Sequence, residues 1–218
     1  MIENINRYID HTLLKPAARE CDIEALCREA RRFSFASVCI NPAYVPLAKR
    51  LLADSGVSVC TVIGFPLGAT TTESKAAETR EAYENGCDEF DMVIPVGALK
   101  DGRTEYVLRD IRAVVEEAKG RITKVIIETG LLEEREKILA TELACRAGAS
   151  FVKTCTGMSA GEATEEDVRL IRAHISPGVK ITASAGIRTY EKAERLILAG
   201  ADRIGTSAGV AIMQGAGK

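Results

Sequence analysis

The chain has 218 residues, 46% of them hydrophobic and 28% charged, with a formal net charge of −2. That is long enough for one large domain or two small ones with a substantial core, and the near-neutral balance excludes any electrostatic case for nucleic acid or an anionic membrane surface as partner. No apolar run approaches a membrane span and residues 1–15 lack the basic-then-apolar order of a signal peptide, so a cytoplasmic location is expected.

Strand-like apolar runs alternate with helical patterns from end to end. Residues 8–10 form a short first strand, after which Ile23, Leu26, Cys27, Ala30 and Phe33 recur at helical spacing. A strand over 36–40, a helix over 44–53 and a strand over 57–63 follow. The helix predicted over 72–85 has a capping residue at its start and Gly86 at its end. Next come a strand over 89–94, a helix over 106–118, a strand over 122–127 and a helix over 133–147. The last part reads as strand 151–154, helix 164–174, strand 179–183, helix 190–199 and strand 203–205.

Three helix ends repeat one pattern: Asn85-Gly86-Cys87-Asp88, Ala147-Gly148-Ala149-Ser150 and Ala199-Gly200-Ala201-Asp202, each leading into a strand. Glycine there suits a left-handed helix cap, and its recurrence argues for one βα unit used repeatedly. Continuous apolar strands with helical crossovers mean a parallel sheet covered by helices. Eight such units in one domain spanning 1–218 predict a (β/α)8 barrel; a doubly wound open sheet is the other arrangement of the same units.

In a barrel the reactive face lies at the C-terminal strand ends. Lys153 stands there, in the run Ser150-Phe151-Val152-Lys153-Thr154-Cys155-Thr156-Gly157. A lysine at the end of a buried strand either pairs with a carboxylate at the rim or, desolvated, loses charge and becomes a nucleophile for carbonyl carbon. Asp10 and Thr12 follow the first strand, Cys39 and Asn41 lie on the second, Asp91 on the fourth, Glu128 on the fifth, and Thr182 with Ser184 on the seventh. Asp91 among Met92, Val93 and Ile94 needs a cation or donors, and an ion pair to Lys153 is its structural explanation. Cys39 reads as wall rather than nucleophile, because no histidine is placed to activate it.

Two glycine-bearing turns close the last strands, Ser184-Ala185-Gly186-Ile187-Arg188 and Gly205-Thr206-Ser207-Ala208-Gly209. Each precedes a helix start, where free N–H groups and the helix dipole suit a phosphate, although ordinary turn glycines would look the same. The seven cysteines include no C-x-x-C pair, and His11 and His174 lack ligand spacing, so reduced thiols and no metal or other cofactor are expected.

Asp10-His11-Thr12, Ser37-Val38-Cys39-Ile40-Asn41, Thr61-Val62-Ile63-Gly64-Phe65-Pro66-Leu67-Gly68, Asp91-Met92-Val93-Ile94 and Phe151-Val152-Lys153-Thr154 stand in order along the chain. With Gly186-Ile187-Arg188-Thr189 and Arg203-Ile204-Gly205-Thr206-Ser207, the sequence resembles the deoxyribose-phosphate aldolases over nearly its whole length. The resemblance implies a metal-free class I aldolase joining acetaldehyde to glyceraldehyde 3-phosphate reversibly, with a homodimer or larger homo-oligomer as the expected assembly. It assigns the Schiff base to Lys153 and a place in the proton relay to Asp91. Asp10, Thr12 and Cys39 would line the substrate pocket, and Gly157, Gly186, Gly205 and Ser207 would hold the phosphate, with Ser184 and Ala185 in the same turn. A non-catalytic sugar-phosphate binder and a phosphosugar isomerase using Asp91 as base are the competing functions.

The sequence departs from the family pattern Lys-x-x-Gly-Gly-x-Arg at two places. Counting back from Arg188, Thr182 stands where the family has a second lysine and Ala185 where it has the first glycine. That lysine is the family's means of lowering the Schiff-base lysine's pKa, and a like charge nearby does so. Threonine carries no charge, which implies weakened activity. Lys180, on the same face but about 6.6 Å deeper, is the candidate to replace it.

Overall fold

The computed structural model describes residues 2–159 and 161–216. Eight parallel strands close in sequence order into a barrel, with the last hydrogen-bonded back to the first, so the open-sheet arrangement does not apply. The strands are β1 (Ile9–Leu13), β2 (Ser37–Ile40), β3 (Ser58–Ile63), β4 (Glu89–Val93), β5 (Ile122–Ile126), β6 (Phe151–Lys153), β7 (Lys180–Ser184) and β8 (Arg203–Thr206). Between them run α1 (Glu20–Phe33), α2 (Val45–Leu51), α3 (Thr72–Glu84), α4 (Val96–Lys100), α5 (Thr104–Glu117), α6 (Glu134–Arg146), α7 (Glu165–His174) and α8 (Tyr190–Ala199), and α9 (Gly209–Gly215) follows the last strand.

Alternation along each strand sorts the side chains. Val38, Ile40, Val59, Ile63, Phe90, Met92, Val125, Val152, Ile181 and Ile204 join the main apolar core with the helices. The residues between them, such as Cys39, Cys60, Asp91, Lys124, Lys153 and Thr182, are buried outside that core and meet one another instead. The lumen of this barrel is therefore polar over much of its height.

The repeated helix ends have a physical explanation. In each, the N–H after the glycine bonds five residues back: Cys87 to Ala82, Ala149 to Ala144, Ala201 to Leu196. The glycines take φ of +90°, +88° and +121°, values that disfavour other residues. The fourth residue of each repeat then accepts an N–H bond from the preceding strand: Asp88 from Val59, Ser150 from Thr123 and Asp202 from Ile181. The motif thus ends a helix and docks the next strand in one step. Thr71, Thr164 and Thr189 cap the starts of α3, α7 and α8, each hydroxyl accepting the N–H three residues on.

The first strand lies later than predicted, because Ile5–Tyr8 forms a 3-10 turn and pairing runs Asp10–Leu13 against Ser37–Ile40. Thr12 is consequently on β1 rather than after it. The helix predicted over 44–53 is a 3-10 turn, Pro42–Tyr44, continued by α2. Helix α4 had no counterpart in the sequence reading, since five residues are too few to show a helical period.

Candidate active site

A cleft of about 370 Å³ opens at the C-terminal ends of the strands. Lys153 forms part of its floor, Thr12 and Leu14 one wall, and the turns after β6, β7 and β8 the other. Lys15 and Arg188 stand exposed at its rim. Cys39, Cys60 and Val62 form a small apolar cluster inside the barrel mouth, packed by Leu14 and Phe65.

Lys153 is 4% exposed, and its ammonium donates to Asp91 Oδ2 at 2.6 Å. Burial alone would lower its pKa, but the Asp91 carboxylate, helped by Cys39, outweighs that and holds it above the ordinary lysine value. Of the two alternatives open to a lysine at this strand end, the free ammonium takes the one paired with a carboxylate. Asp91 shows the converse balance. Burial pushes its carboxyl up, yet Lys124 and Lys153 together hold it well below the usual carboxylate range.

Lys124 was not singled out in the sequence. It is fully buried on β5 directly across from Asp91, donating to Asp91 Oδ1 at 2.7 Å and lying 2.6 Å from Glu89. Glu89 in turn meets Arg203 at 3.1 Å, and Arg203 binds Asp10 Oδ1. A chain of alternating charge therefore runs from Lys153 through Asp91, Lys124, Glu89 and Arg203 to Asp10, with three acids matched by three cations. Such a set is tolerable in the interior only when each charge has its partner. The signal in the sequence was parity: Glu89, Lys124 and Arg203 sit at even spacing from Asp91, Ile126 and Gly205, on the inward face of their strands.

The turns after β6 and β7 take positive φ at Gly157 (+77°), Ala185 (+84°) and Gly186 (+73°). Ala185 is thus an alanine in a conformation that favours glycine. At Gly186 any Cβ would strike the Glu162 side chain within 2.3 Å. Ser184 and Glu128 tie the turn after β6 in place: the Ser184 hydroxyl donates to Cys155 O at 2.5 Å, and the Glu128 carboxylate accepts from Thr156 N–H at 3.2 Å. Gly205 differs from the other glycines. A Cβ there would lie 2.9 Å from Ser184 Cβ, so this glycine lets β8 pass close to Ser184, with Lys153 Nζ at an ordinary contact distance of 3.7 Å.

Lys153, Thr12, Gly157, Ser184, Ala185, Gly186, Gly205 and Ser207 all line this one cleft. Other predicted residues are placed differently. Asp10 is fully buried below it, held by Ser37 at 2.6 Å and by Arg203, with Oδ2 unpartnered among the described residues. Cys39 is likewise fully buried, 4.0 Å from Asp91 Oδ2. Asn41 lies just past the end of β2. Thr182 pairs with Lys153 across the β6–β7 ladder, fully buried with its hydroxyl unpartnered among the described residues. Lys180 does not reach the site. It is the exposed first residue of β7, with its ammonium 5.9 Å from the centre of the Phe151 ring, because two residues along the strand carry it to the far end of the barrel.

Cys39, Cys60 and Asp91 converge in the lumen, but this grouping is not suited to a cation. Both carboxylate oxygens already accept from ammonium groups, and burial raises the Cys60 thiol well above its ordinary pKa. His11 points away, its Nε2 2.7 Å from Glu29.

The sequence matches the model of the DeoC/LacD family aldolases over residues 5–215. The chain belongs to the DeoC/LacD family of aldolases. It is 56% identical to the deoxyribose-phosphate aldolase of Streptococcus gordonii over 97% of this chain and 96% of that protein. With the deoxyribose-phosphate aldolase of Halalkalibacterium halodurans it shares 58% identity over 99% and 97%. A solved deoxyribose phosphate aldolase from Aeropyrum pernix, described as a tetramer, superposes with a TM-score of 0.90 at 35% identity, over 96% of this chain and 89% of that one. Membership of the DeoC/LacD family makes the chain an aldolase, a carbon–carbon lyase. No helix among the described residues is long and apolar enough to cross a membrane.

Proposed function

We propose that the chain cleaves and forms 2-deoxy-D-ribose 5-phosphate, from acetaldehyde and glyceraldehyde 3-phosphate, through a Schiff base on Lys153. The observation that carries this is the position of one lysine at the floor of a cleft whose opposite wall is a set of glycine turns. Neutral Lys153 attacks the carbonyl carbon of the open-chain sugar, and water leaves as the imine forms. The protonated imine then draws in the electrons of the bond between the second and third sugar carbons as the hydroxyl on the third carbon gives up its proton. Glyceraldehyde 3-phosphate departs, the remaining enamine takes a proton on its second carbon, and water hydrolyses the imine to release acetaldehyde and Lys153. Asp91, at 2.6 Å from the lysine nitrogen, is the group in reach to exchange protons with it.

The N–H groups of the turns at Gly157, Gly186 and Ser207 face the substrate phosphate, and Lys15 and Arg188 at the rim add positive charge. No metal, no other cofactor and no nucleic acid is needed for this reading. The Aeropyrum pernix protein is described as a tetramer, and a homo-oligomer is proposed here too.

The test is to incubate the protein with acetaldehyde and borohydride and map the product by peptide mass. An ethyl group on Lys153 is expected; label confined to surface lysines would refute the Schiff base. A companion variant, Ser207→Asp, places a negative charge in the phosphate turn. It should weaken cleavage of the phosphorylated sugar at least about tenfold while leaving unphosphorylated deoxyribose little changed. Equal effects on both sugars would mean that the turn does not hold phosphate.

A further inference from the structure

We propose that Lys124 is the second cation of this site, a positioning residue that takes one oxygen of Asp91 and so lightens that carboxylate's hold on Lys153. The inference rests on the Schiff-base reading above and goes beyond it, because it assigns to β5 the task that the family pattern gives to a lysine on β7.

Lys153 must shed a proton to attack a carbonyl, and Asp91 at 2.6 Å opposes that loss. At position 182, beside Lys153 on the next strand, the chain has an uncharged threonine. Lys180 is exposed at the start of β7 and faces Phe151. Among the described residues, the cations of the lumen are the buried Lys124 and Lys153 and the partly exposed Arg203, and Arg203 is bound to Asp10 and Glu89 rather than to Asp91. Lys124 alone remains.

Its geometry fits the role. Asp91 and Lys124 are register partners on β4 and β5, whereas Lys153 pairs with Ile126, two residues nearer the mouth. Asp91 therefore lies between the two ammonium groups, giving Oδ1 to Lys124 at 2.7 Å and Oδ2 to Lys153 at 2.6 Å. A carboxylate shared between two cations attracts each less than it would attract one alone, and the second ammonium also repels the first.

Lys124 is a fixed charge rather than a second nucleophile. It is fully buried, does not line the cleft, and is held by Glu89 at 2.6 Å as well as by Asp91. Glu89 is anchored by Arg203, a guanidinium that stays charged at every accessible pH. Burial disfavours the Lys124 charge, but the carboxylates of Asp91 and Glu89 outweigh it and keep the residue protonated. The other groups facing Lys153 are Cys39 on β2 and Cys60 on β3, with Thr182 on β7 and Gly205 on β8 uncharged. Asp10, Glu89 and Arg203 lie below, and Lys15 and Arg188 stand at the rim.

The experiment compares reductive trapping of acetaldehyde at Lys153 by borohydride at pH 8 in the full-length protein and its variants. In Lys124→Met and Lys124→Gln, Asp91 is left to Lys153 alone, and the trapping rate should fall about tenfold, one pKa unit. Lys124→Arg keeps the charge and should stay within about twofold of the parent protein. The glutamine variant separates charge from structure, since it can still donate a hydrogen bond to Asp91. A merely structural lysine would be rescued by glutamine as well as by arginine. Because Lys124→Met leaves an extra buried carboxylate, Lys124→Met/Glu89→Gln removes one charge of each sign and should show the same tenfold loss with a native melt.

Trapping at the parental rate in the methionine variants, or rescue by glutamine equal to that by arginine, overturns the assignment. Absence of label on Lys153 in the parent protein would instead refute the Schiff base itself, and the role of Lys124 with it.

Discussion

Replacing Thr182 by lysine should raise aldolase activity and lower stability together. Thr182 and Lys153 are register partners on adjacent strands, which are about 4.8 Å apart. Two ammonium groups about 5 Å apart at an effective dielectric constant near 20 repel by about 3 kcal/mol. At about 1.4 kcal/mol per unit, that lowers the Lys153 pKa by about two units and raises the neutral fraction about 10²-fold. The starting point is poor, since an ordinary lysine is less than about 0.1% neutral at pH 7 and Asp91 holds Lys153 above the ordinary value. The rate of acetaldehyde release from deoxyribose 5-phosphate at pH 7 should therefore rise about 10²-fold. While both groups are charged, the same repulsion opposes folding. At about 2–4 °C per kcal/mol for a chain of this size, Tm should fall roughly 6–12 °C near pH 7. The deficit should narrow as pH rises and Lys153 loses its proton. Thr182→Met, of similar length but uncharged, controls for packing and should bring no gain. A folded Thr182→Lys protein no faster than its parent, or a gain matched by Thr182→Met, would refute the electrostatic account.

Ala185→Gly relieves an alanine at φ +84°, a strain of about 1–2 kcal/mol offset by the greater freedom of unfolded glycine, about 0.4–1 kcal/mol. The net gain of up to about 1.6 kcal/mol should raise Tm by up to roughly 6 °C, and a lower Tm would show that the turn is not strained there. Gly205→Val clashes with Ser184 and extends toward Lys153 beside it, so cleavage of phosphorylated and unphosphorylated sugar should fall together, by about 10²-fold; a loss confined to the phosphorylated substrate would return Gly205 to the phosphate turn. Lys75→Met removes the partner of Asp110, both fully buried and 2.6 Å apart, and should destabilise by about 3–5 kcal/mol in urea titration. A loss under about 1 kcal/mol would mean the pair is dispensable. Because Lys153 is held above the ordinary lysine value, its trapping rate should climb about tenfold per pH unit from pH 6 to 9, and a plateau below pH 9 would contradict the raised pKa. Its pairing with Asp91 correspondingly stabilises the fold fully below the unfolded lysine value, about 10.4, and that contribution fades only as pH rises through the higher folded value.

Local chemistry alone determined the repeated unit of this protein. Glycines that end helices with the capping bonds of Cys87, Ala149 and Ala201 recur because a left-handed residue is needed at each of those points. Apolar alternation then placed every strand but the first within a residue or two, and Lys153 could be put at an inward strand end from parity and position. Ala185 was legible as a departure from a glycine pattern, and its backbone does take the conformation that makes the departure matter.

What the sequence did not determine was pairing across the lumen. Lys124 reads as one polar residue in an apolar run until barrel closure sets it beside Asp91, 33 positions away in sequence. Asp10 and Arg203 lie 193 positions apart and meet only because β8 closes on β1. The charge state of Lys153 belongs to the same class. Burial, foreseeable from its strand, lowers its pKa, and the carboxylate that reverses the sign is delivered by a strand 62 residues earlier. Electrostatic balance in a low-dielectric interior depends on distances of a few ångströms, and only closure of the barrel sets those.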